Sequence, residues 1–239
     1  MLYSLPKKVE MDLSQAKWRL ESTESVLVIV GLQQLRQIAN FEGSELSEHL
    51  IALSKKAKAL DIPLFDLSTM DLNPEQLMNA MVSLGDYVSQ RKQIIFAGQI
   101  TPTIKLIIQH ISSITQQICM IDDAISLESK SHHIHWINSI VALGLHHMNT
   151  QTVLRLWALS APTEFILSER GILLAVAEQL DMDALEIDPY YDLKLYGLDS
   201  VGIVSLVGLW RANGAHIRYE DFEKSIHLVD LIHHIKNRV

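Results

Sequence analysis

The fold is indicated by residues 26–30, Val26-Leu27-Val28-Ile29-Val30, an unbroken run of apolar and mostly β-branched side chains. Such a run is typical of a parallel strand that is buried on both faces. Similar short runs recur downstream, separated by segments with apolar residues at helical spacing. The sequence predicts strands at 26–30, 62–67, 94–97, 118–121 and 153–159, and helices at 44–60, 74–87, 102–113 and 129–143. This alternation predicts an α/β domain with a parallel sheet and helices on both faces.

The composition of the 239-residue chain, 48% apolar and 20% charged, is that of a folded globular protein. A formal net charge of −8 disfavours partners that are polyanions, both nucleic acid and anionic lipid. The single cysteine, Cys119, excludes an intramolecular disulfide and a Cys-x-x-Cys metal site. The first residues lack the pattern of a signal peptide, and no apolar stretch reaches eighteen residues. We therefore expect a cytoplasmic protein without a membrane span.

Acidic residues are concentrated in the C-terminal part of the chain. Residues 168–239 carry 7 basic and 12 acidic side chains, whereas residues 1–167 carry 13 and 16. This part shows no convincing strand, and its apolar spacing predicts helices at 168–180, 200–212 and 227–237 and a short turn at 221–223. The predicted organisation is an α/β domain at 1–160, a linker at 161–167 around Pro162, and a small four-helix bundle at 168–239. Asn73 and Ser225 are predicted helix caps.

The segment with the most specific chemistry is Leu195-Tyr196-Gly197-Leu198-Asp199-Ser200-Val201-Gly202. Gly197 permits a tight approach to the helix that follows, and Ser200 falls at the N-terminal boundary of that helix. A hydroxyl there is exposed, and the positive end of the helix dipole favours a phosphate attached to it. No histidine or lysine is placed by the sequence to deprotonate Ser200, so a self-activated nucleophile is not expected. Asp199-Ser200 alone could simply be a helix cap.

The whole string Gly-Leu-Asp-Ser-Val, before an apolar helix in an acidic helical segment, resembles the phosphopantetheine attachment site of acyl, peptidyl and aryl carrier proteins. The resemblance implies that Ser200 bears 4′-phosphopantetheine, whose thiol holds a substrate as a thioester. It also implies three partners: a phosphopantetheinyl transferase, an aryl-acid adenylating ligase, and a condensation or cyclization domain of a nonribosomal peptide synthetase. One departure is Ile226-His227, where the family often begins its last helix with Pro-Thr.

The whole chain resembles the bifunctional isochorismatase/aryl carrier proteins of catechol siderophore biosynthesis. In the first domain the resemblance is carried by Tyr3-Ser4-Leu5-Pro6 and by the segments 26–33, 61–65, 93–98 and 118–124. It implies a three-layer isochorismatase-like domain at 1–160 and a carrier domain at 168–239. The implied function is to hold an aryl acid, 2,3-dihydroxybenzoate or salicylate, for nonribosomal siderophore assembly. Self-association through the first domain is also consistent with this resemblance.

Departures from the family pattern predict that the first domain is not an enzyme. Gly31 stands where the family has an aspartate, and isochorismate hydrolysis needs an acid there. The strand that carries the family's lysine is missing between residues 67 and 92. The cysteine of related hydrolases would fall near Lys105, and Cys119 is instead predicted in a strand. We expect no catalytic residues and a scaffolding role for residues 1–160.

Two alternatives remain open: an active isochorismatase or other hydrolase with displaced catalytic residues, and a carrier of a non-aryl acyl or aminoacyl group. Asp122-Asp123 is compatible with a paired acid or with a turn at the end of a strand. Histidines are clustered, and His132–His135 has the spacing of one helix face but no matching Glu or Asp beside it, so we expect a solvated helix face and no metal site. The clustered residues are His132, His133, His135, His146, His147, His233 and His234.

Overall fold

The computed structural model of the protein describes residues 2–67, 74–115, 117–222 and 226–237, without some of the side chains of 74–90. Asn73 and Ser225, predicted as helix caps, lie outside the described residues. The chain divides into two structural units. The first consists of Met1–Ala57 and Ile62–Ser160, and the second of Lys58–Asp61 and Ala161–Val239.

The first unit is built on a parallel five-stranded sheet with the strand order β2-β1-β3-β4-β5. Its strands are β1 (Ser25–Val30), β2 (Leu64–Leu67), β3 (Gln93–Gln99), β4 (Ile118–Ser126) and β5 (His146–Met148). Both β2 and β3 pair with β1, in parallel register. The strand order therefore reverses at β1, and the carboxyl ends of β1 and β3 flank the crevice where open α/β sheets usually bind ligands.

Helices follow the strands, as alternation predicted. They are α1 (Leu32–Arg36), α2 (Glu45–Ala59), α3 (Pro74–Gln90), α4 (Pro102–Ser112), α5 (Lys130–Ala142) and α6 (Thr150–Ser160). Val28 and Phe96 on one face of the sheet share a core with Ile104 and Ile108 of α4. Leu27, next in sequence to Val28, is fully buried as well, so the opposite face is also covered.

Two predictions about the end of the first unit are wrong. Residues 153–159 form part of α6 and not a strand, because burial follows a four-residue period: Val153 and Trp157 are buried and the residues between are more exposed. The last strand is β5, whose three residues His-His-Met give no apolar run to detect. Trp157 is fixed by its indole N–H, which donates to Ser25 Oγ at 2.9 Å.

The second unit is helical, with its own hydrophobic core of which Trp210 is part. Its helices are α7 (Thr163–Ile166), α8 (Glu169–Leu180), α9 (Ser200–Ala212) and α10 (Leu228–Lys236), with short 3-10 helices at Ala184–Glu186 and Tyr219–Phe222. The helices predicted at 168–180, 200–212 and 227–237 are confirmed. The turn predicted at 221–223 corresponds to the 3-10 helix, and Glu223 lies outside the described residues.

Residues 161–167, predicted as a linker, contribute to the core of the second unit. Pro162 precedes α7 as its N-cap, and Ile166 and Leu167 are buried in the core. The backbone of α7 approaches α8 so closely that a Cβ at Gly171 would lie 1.9 Å from the carbonyl oxygen of Phe165. Composition around Pro162 did not indicate that these residues pack into the core of the second unit.

Candidate functional site

Ser200 is the first residue of α9, and its side chain is exposed. The residue that caps this helix is Asp199, whose carboxylate accepts the backbone N–H of Gly202 at 2.8 Å. An N-cap side chain satisfies one of the unpaired amides of the first turn. Because Asp199 does this, the Ser200 hydroxyl is not needed for capping.

The loop before α9 is held to the last part of the second unit. Leu193 is fully buried, and its backbone N–H donates to the carbonyl of Ile226 at 2.8 Å. The Asp192 carboxylate accepts the backbone N–H groups of Lys194 and Ile226 at 3.0 and 3.1 Å. Hydrogen bonds from those two amides lower the pKa of Asp192, with Ile226 contributing most. The path of the chain up to Ser200 is thereby fixed.

Gly197 makes the turn that brings Leu198 back into the core. Its φ of 108° is in the region that side chains disfavour, although a Cβ there would meet nothing within 4 Å. The requirement for glycine is therefore conformational and not steric. Leu198 is buried, and its backbone N–H donates to the carbonyl of Leu193 at 3.1 Å.

A shallow depression lies beside Ser200, lined by Lys194, Leu198, Asp199, Ser200, Ile203 and Tyr219. Two apolar side chains close to Ser200 in sequence are exposed: Leu195 is 69% and Val201 75% exposed. The apolar residues after Ser200 differ in burial. Leu206 and Val207 are buried in the core, whereas Val204 is exposed.

In the first unit, Gly31 follows β1 at the carboxyl end of the sheet, with a positive φ of 62°. Its backbone N–H donates to the carbonyl of Leu67 at 2.8 Å. A Cβ at Gly31 would lie 3.0 Å from Gln99 Cβ and 3.2 Å from Gln99 Oε1. The amide oxygens of Gln34 and Gln99 are buried and lack a hydrogen-bond partner among the residues that the structure describes. Gly31, Gln34 and Gln99 offer amides and no acid at this position.

Neither position considered for a cysteine nucleophile, Lys105 or Cys119, provides a reactive thiol. Lys105 lies on α4 with its ammonium 5.0 Å from the centre of the Trp136 ring, a cation–π contact. Cys119 is fully buried in β4. Burial, followed by the nearby charge of Asp122, raises the pKa of its thiol far above the usual range. A thiol in that state is a packing group and not a nucleophile.

Asp122 and Asp123 do not act as one acid pair, because each has a different partner. The sequence placed them in an acidic turn, but they lie inside β4, where the register against β3 shifts between Phe96 and Gly98. Asp122 Oδ2 lies 2.7 Å from Nδ1 of His147. Asp123 accepts the backbone N–H and the hydroxyl of Thr150 at 2.6 and 2.7 Å. Burial, opposed by those two hydrogen bonds, raises the pKa of Asp123.

His147 has an acceptor at each ring nitrogen. Nδ1 faces Asp122, and Nε2 lies 2.8 Å from the carbonyl oxygen of Asp12. Only the imidazolium can donate to both. Burial alone would lower the pKa of His147, but the hydrogen bonds to Asp122 and Asp12 outweigh it, and the pKa is raised. His147 therefore ties the N-terminal segment to the sheet through a hydrogen bond at each ring nitrogen.

The other clustered histidines also have separate environments. The predicted solvated face is wrong at His133, which is fully buried, with its Nδ1 3.0 Å from the hydroxyl of Tyr3. His132 is exposed and lies 3.2 Å from Glu128, so the prediction that no carboxylate lies beside this cluster is wrong. Within the described ranges, no three His, Cys, Asp or Glu side chains are grouped as metal ligands would be.

No protein-family model matches the sequence, and no curated protein matches it. Among solved structures, MAR1 ribonuclease from Caenorhabditis elegans has 15% identity and a TM-score of 0.42, over 57% of this chain and 82% of its own. YcaC from Pseudomonas aeruginosa, solved with hexane-2,5-diol and covalent acrylamide, has 15% identity and a TM-score of 0.47, over 69% and 94%. At such low identity and TM-scores below 0.5, neither likeness defines the family or activity of this chain.

The fold and the site thus define a protein with a parallel α/β unit and a helical unit that presents an exposed serine at the start of a helix. No helix in the part of the chain that the structure describes has the length and apolarity to cross a bilayer.

Proposed function

We propose that the chain is a carrier protein in which Ser200 bears 4′-phosphopantetheine. The observation that carries the proposal is the placement of Ser200: an exposed hydroxyl at the first position of α9, released from capping by Asp199. The preceding residues, Gly197-Leu198-Asp199, are those of the attachment motif that the sequence resembles. The site lies on a helical unit with its own core and an excess of acidic residues.

The residues at this position fit a covalent phosphodiester. The hydroxyl is reachable by a transferase, and the amides of the first turn of α9 favour an attached anion. Lys194 supplies a cation in the adjoining depression. When bound, the group supplies a thiol that holds an acyl substrate as a thioester.

The part played by this chain in the modification is limited to presenting the hydroxyl. Ser200 Oγ forms the new bond to phosphorus, a phosphoanhydride bond of coenzyme A breaks, and adenosine 3′,5′-bisphosphate leaves. The serine proton passes to a base of the phosphopantetheinyl transferase. The turn at Gly197 and the buried Leu198 hold Ser200 outward for that encounter.

The proposed substrate is an aryl acid, 2,3-dihydroxybenzoate or salicylate, delivered by an adenylating ligase. A condensation or cyclization domain of a nonribosomal peptide synthetase would then accept the acyl group for siderophore assembly. The support is the resemblance of the whole chain to bifunctional isochorismatase/aryl carrier proteins. The exposed apolar side chains of Leu195, Val201 and Val204 offer those partners a contact surface.

The first unit is proposed to be an isochorismatase-like scaffold without hydrolytic activity. Gly31 leaves no acid after β1, and Cys119 is buried in the sheet. Protonation of a vinyl ether needs a general acid within hydrogen-bonding reach. We expect no cleavage of isochorismate by the purified protein, measured by product absorbance or chromatography. Turnover that disappears when residues 1–160 are removed would contradict this proposal.

The test of the carrier function is intact mass spectrometry after incubation with a phosphopantetheinyl transferase and coenzyme A. We expect the wild-type chain to gain one phosphopantetheine and Ser200→Ala to gain none. Ser205→Ala is the matched control, because Ser205 is an exposed serine on the same helix. It should be modified as completely as the wild type. Modification of Ser200→Ala, or an unmodified wild type, would refute the proposal.

Substrate class is tested on the modified protein. Separate incubations with adenylating ligases and their aryl or amino acids should give a thioester only with the aryl acids. Exclusive loading with an amino acid would leave the carrier function intact but remove the aryl assignment.

A further inference from the structure

A long N-terminal segment, residues 3–21 (the strap), lies against the edge of the sheet in the first unit. Apart from the 3-10 helix Lys8–Glu10 its backbone is irregular. It contacts β5, the last strand in the sheet order, at two neighbouring residues. The carbonyl oxygen of Asp12 lies 2.8 Å from Nε2 of His147, and the ring of Trp18 meets that of His146 edge to face, with the centroids 5.2 Å apart.

Two attachments of the strap use acceptors that carry no titratable proton. The backbone N–H of Asp12 donates to Oδ1 of Asn138 at 3.0 Å. The backbone N–H of Glu21 donates to Oε1 of Gln93 at 2.8 Å. Because both acceptors are side-chain amides, neither hydrogen bond depends directly on pH.

The attachment at Tyr3 is also constant near neutral pH. Its hydroxyl accepts the backbone N–H of Leu127 at 2.9 Å, which leaves the hydroxyl proton for Nδ1 of His133 at 3.0 Å. Burial raises the pKa of the Tyr3 phenol and lowers the pKa of His133 to about 4. The phenol therefore stays protonated and the imidazole neutral while the pH varies around 7.

The attachment at His147 is different, because both ring nitrogens face acceptors. Nδ1 lies 2.7 Å from Oδ2 of Asp122, and Nε2 faces the carbonyl of Asp12. A neutral ring has one N–H for these two contacts. That proton stays on the side of Asp122, since a carboxylate is the stronger acceptor. The lone pair of Nε2 then faces the carbonyl oxygen, and the 6% exposure of His147 leaves little access for water to separate them.

The surroundings of His147 favour its charged form. Burial lowers its pKa, but the hydrogen bonds to Asp122 and Asp12 outweigh burial and the opposing charge of Lys8, so the pKa is raised. Three further titratable groups near Asp122 or His147 are neutral around pH 7, because burial lowers the pKa of two imidazoles and raises that of one thiol: His133, His146 and Cys119. Among the described residues beside the pair, His147 is therefore the group that titrates in this range.

We propose that His147 is a pH-sensitive clamp, whose protonated ring holds the strap on β5 and whose loss of a proton breaks the contact with Asp12 and loosens the strap. The clamp belongs to the first unit and does not depend on modification of Ser200. It is closed at and below the ordinary histidine pKa of 6.5, and it opens as the pH rises through the raised value.

The test is nuclear magnetic resonance of the full chain from about pH 6 to about pH 9, the range in which a histidine with a raised pKa titrates. Both ring nitrogens of His147 should carry protons at the low end, and Nε2 should lose its proton as the pH rises. Over the same range the Asp12 amide should lose about tenfold in protection from hydrogen exchange, after correction for the intrinsic rate. The Glu21 amide, bound to Gln93, is the reference in the same strap and should keep its protection.

The variant His147→Gln has no proton to lose at this position, so protection of the Asp12 amide should be the same at both ends of the range. His135→Gln is the matched control, because His135 is an exposed histidine on α5, and it should keep the pH dependence of the wild type. Circular dichroism checks the fold of each variant.

Two results would refute the clamp: deprotonation of Nε2 without loss of protection at Asp12, or the same pH dependence in the wild type and in His147→Gln. If His147→Gln does not fold, the wild type alone decides. Its His147 nitrogens and its Asp12 amide must change together while the Glu21 amide does not.

Discussion

Polar groups near the expected sites have different roles in the two units. In the first unit, Asp122 and His147 are buried against each other, and Asp123 binds Thr150. In the second unit, a neighbouring aspartate caps α9 and leaves Ser200 exposed. The difference shows that the presence of a reactive residue type is not sufficient for chemistry. The side chain must also be left free by the hydrogen bonds that stabilise the fold.

The strongest way to separate the two units is a substitution that damages only the first. A Cβ at Gly98 would lie 2.1 Å from the carbonyl oxygen of Val30, at a φ of 96°. We expect Gly98→Ala to lower the free energy of unfolding of the first unit by roughly 4 kcal/mol. Guanidinium denaturation followed by tryptophan fluorescence, in a Trp210→Phe background, reports on that unit.

Gly144→Ala is the control for Gly98, because it also has a positive φ but a Cβ there meets nothing within 4 Å. Its cost should be about 1 kcal/mol. Modification of Ser200 should persist in Gly98→Ala, since the second unit has a core of its own. Equal effects of the two substitutions would show that the contact with Val30 relaxes without cost.

The next effect concerns a buried histidine of the first unit. Burial, opposed by weaker interactions with Asp122, lowers the pKa of His133 to about 4. The unfolded chain therefore binds a proton that the folded chain does not, between about pH 6.5 and 4. We therefore expect the free energy of unfolding to be independent of this histidine's titration above pH 6.5, and to fall by roughly 3 kcal/mol as the pH falls to 4.

The measurement is the free energy of unfolding against pH, for the wild type and His133→Phe. The difference between the two should shrink as the pH falls, because the variant has no proton to bind at this position. His135→Phe is the matched control on the same helix, since His135 is exposed. A pH-independent difference for His133→Phe would contradict the assignment.

A smaller effect is expected at the loop before Ser200. Asp192→Ala removes the acceptor for two backbone amides, and should destabilise the second unit by about 1 kcal/mol because the carboxylate is partly solvated. The rate of Ser200 modification should fall as the loop loosens. Asp192→Asn retains a side-chain oxygen, so its stability and its rate of Ser200 modification should both fall less. An unchanged modification rate in Asp192→Ala would show that these hydrogen bonds are not needed to hold the loop.

The smallest effect on stability is expected on the exposed face of α9. Val204→Ser should change the free energy of unfolding by less than about 0.5 kcal/mol, because Val204 is 58% exposed. It should nevertheless slow the transfer of an acyl group from the ligase. The buried neighbour Val207 provides the contrast: Val207→Ser should destabilise the unit. Undiminished transfer with Val204→Ser would exclude this side chain from the contact surface.

The sequence predicted the parallel sheet well where strands were long and apolar, as in β1 and β3. It missed β5, which is only three residues long. It also misassigned 153–159, whose apolar residues fit the period of a strand or of a helix. The burial of Val153 and Trp157, four residues apart, shows that the helical period is the correct one. Ser200 was predicted as a site because its motif is local. The buried pair of Asp122 and His147 was not, because it joins residues 25 positions apart.

The buried position of α7 determines where the helical unit can be cut from the rest of the chain. A fragment that begins at residue 168 would omit Ile166 and Leu167 and open a hole in its own interior. A fragment that begins at Ala161 keeps Pro162 to start the turn and both side chains to fill that space. We therefore expect proteolysis or domain transplantation to yield a stable module only when α7 is kept in the same fragment as Ser200.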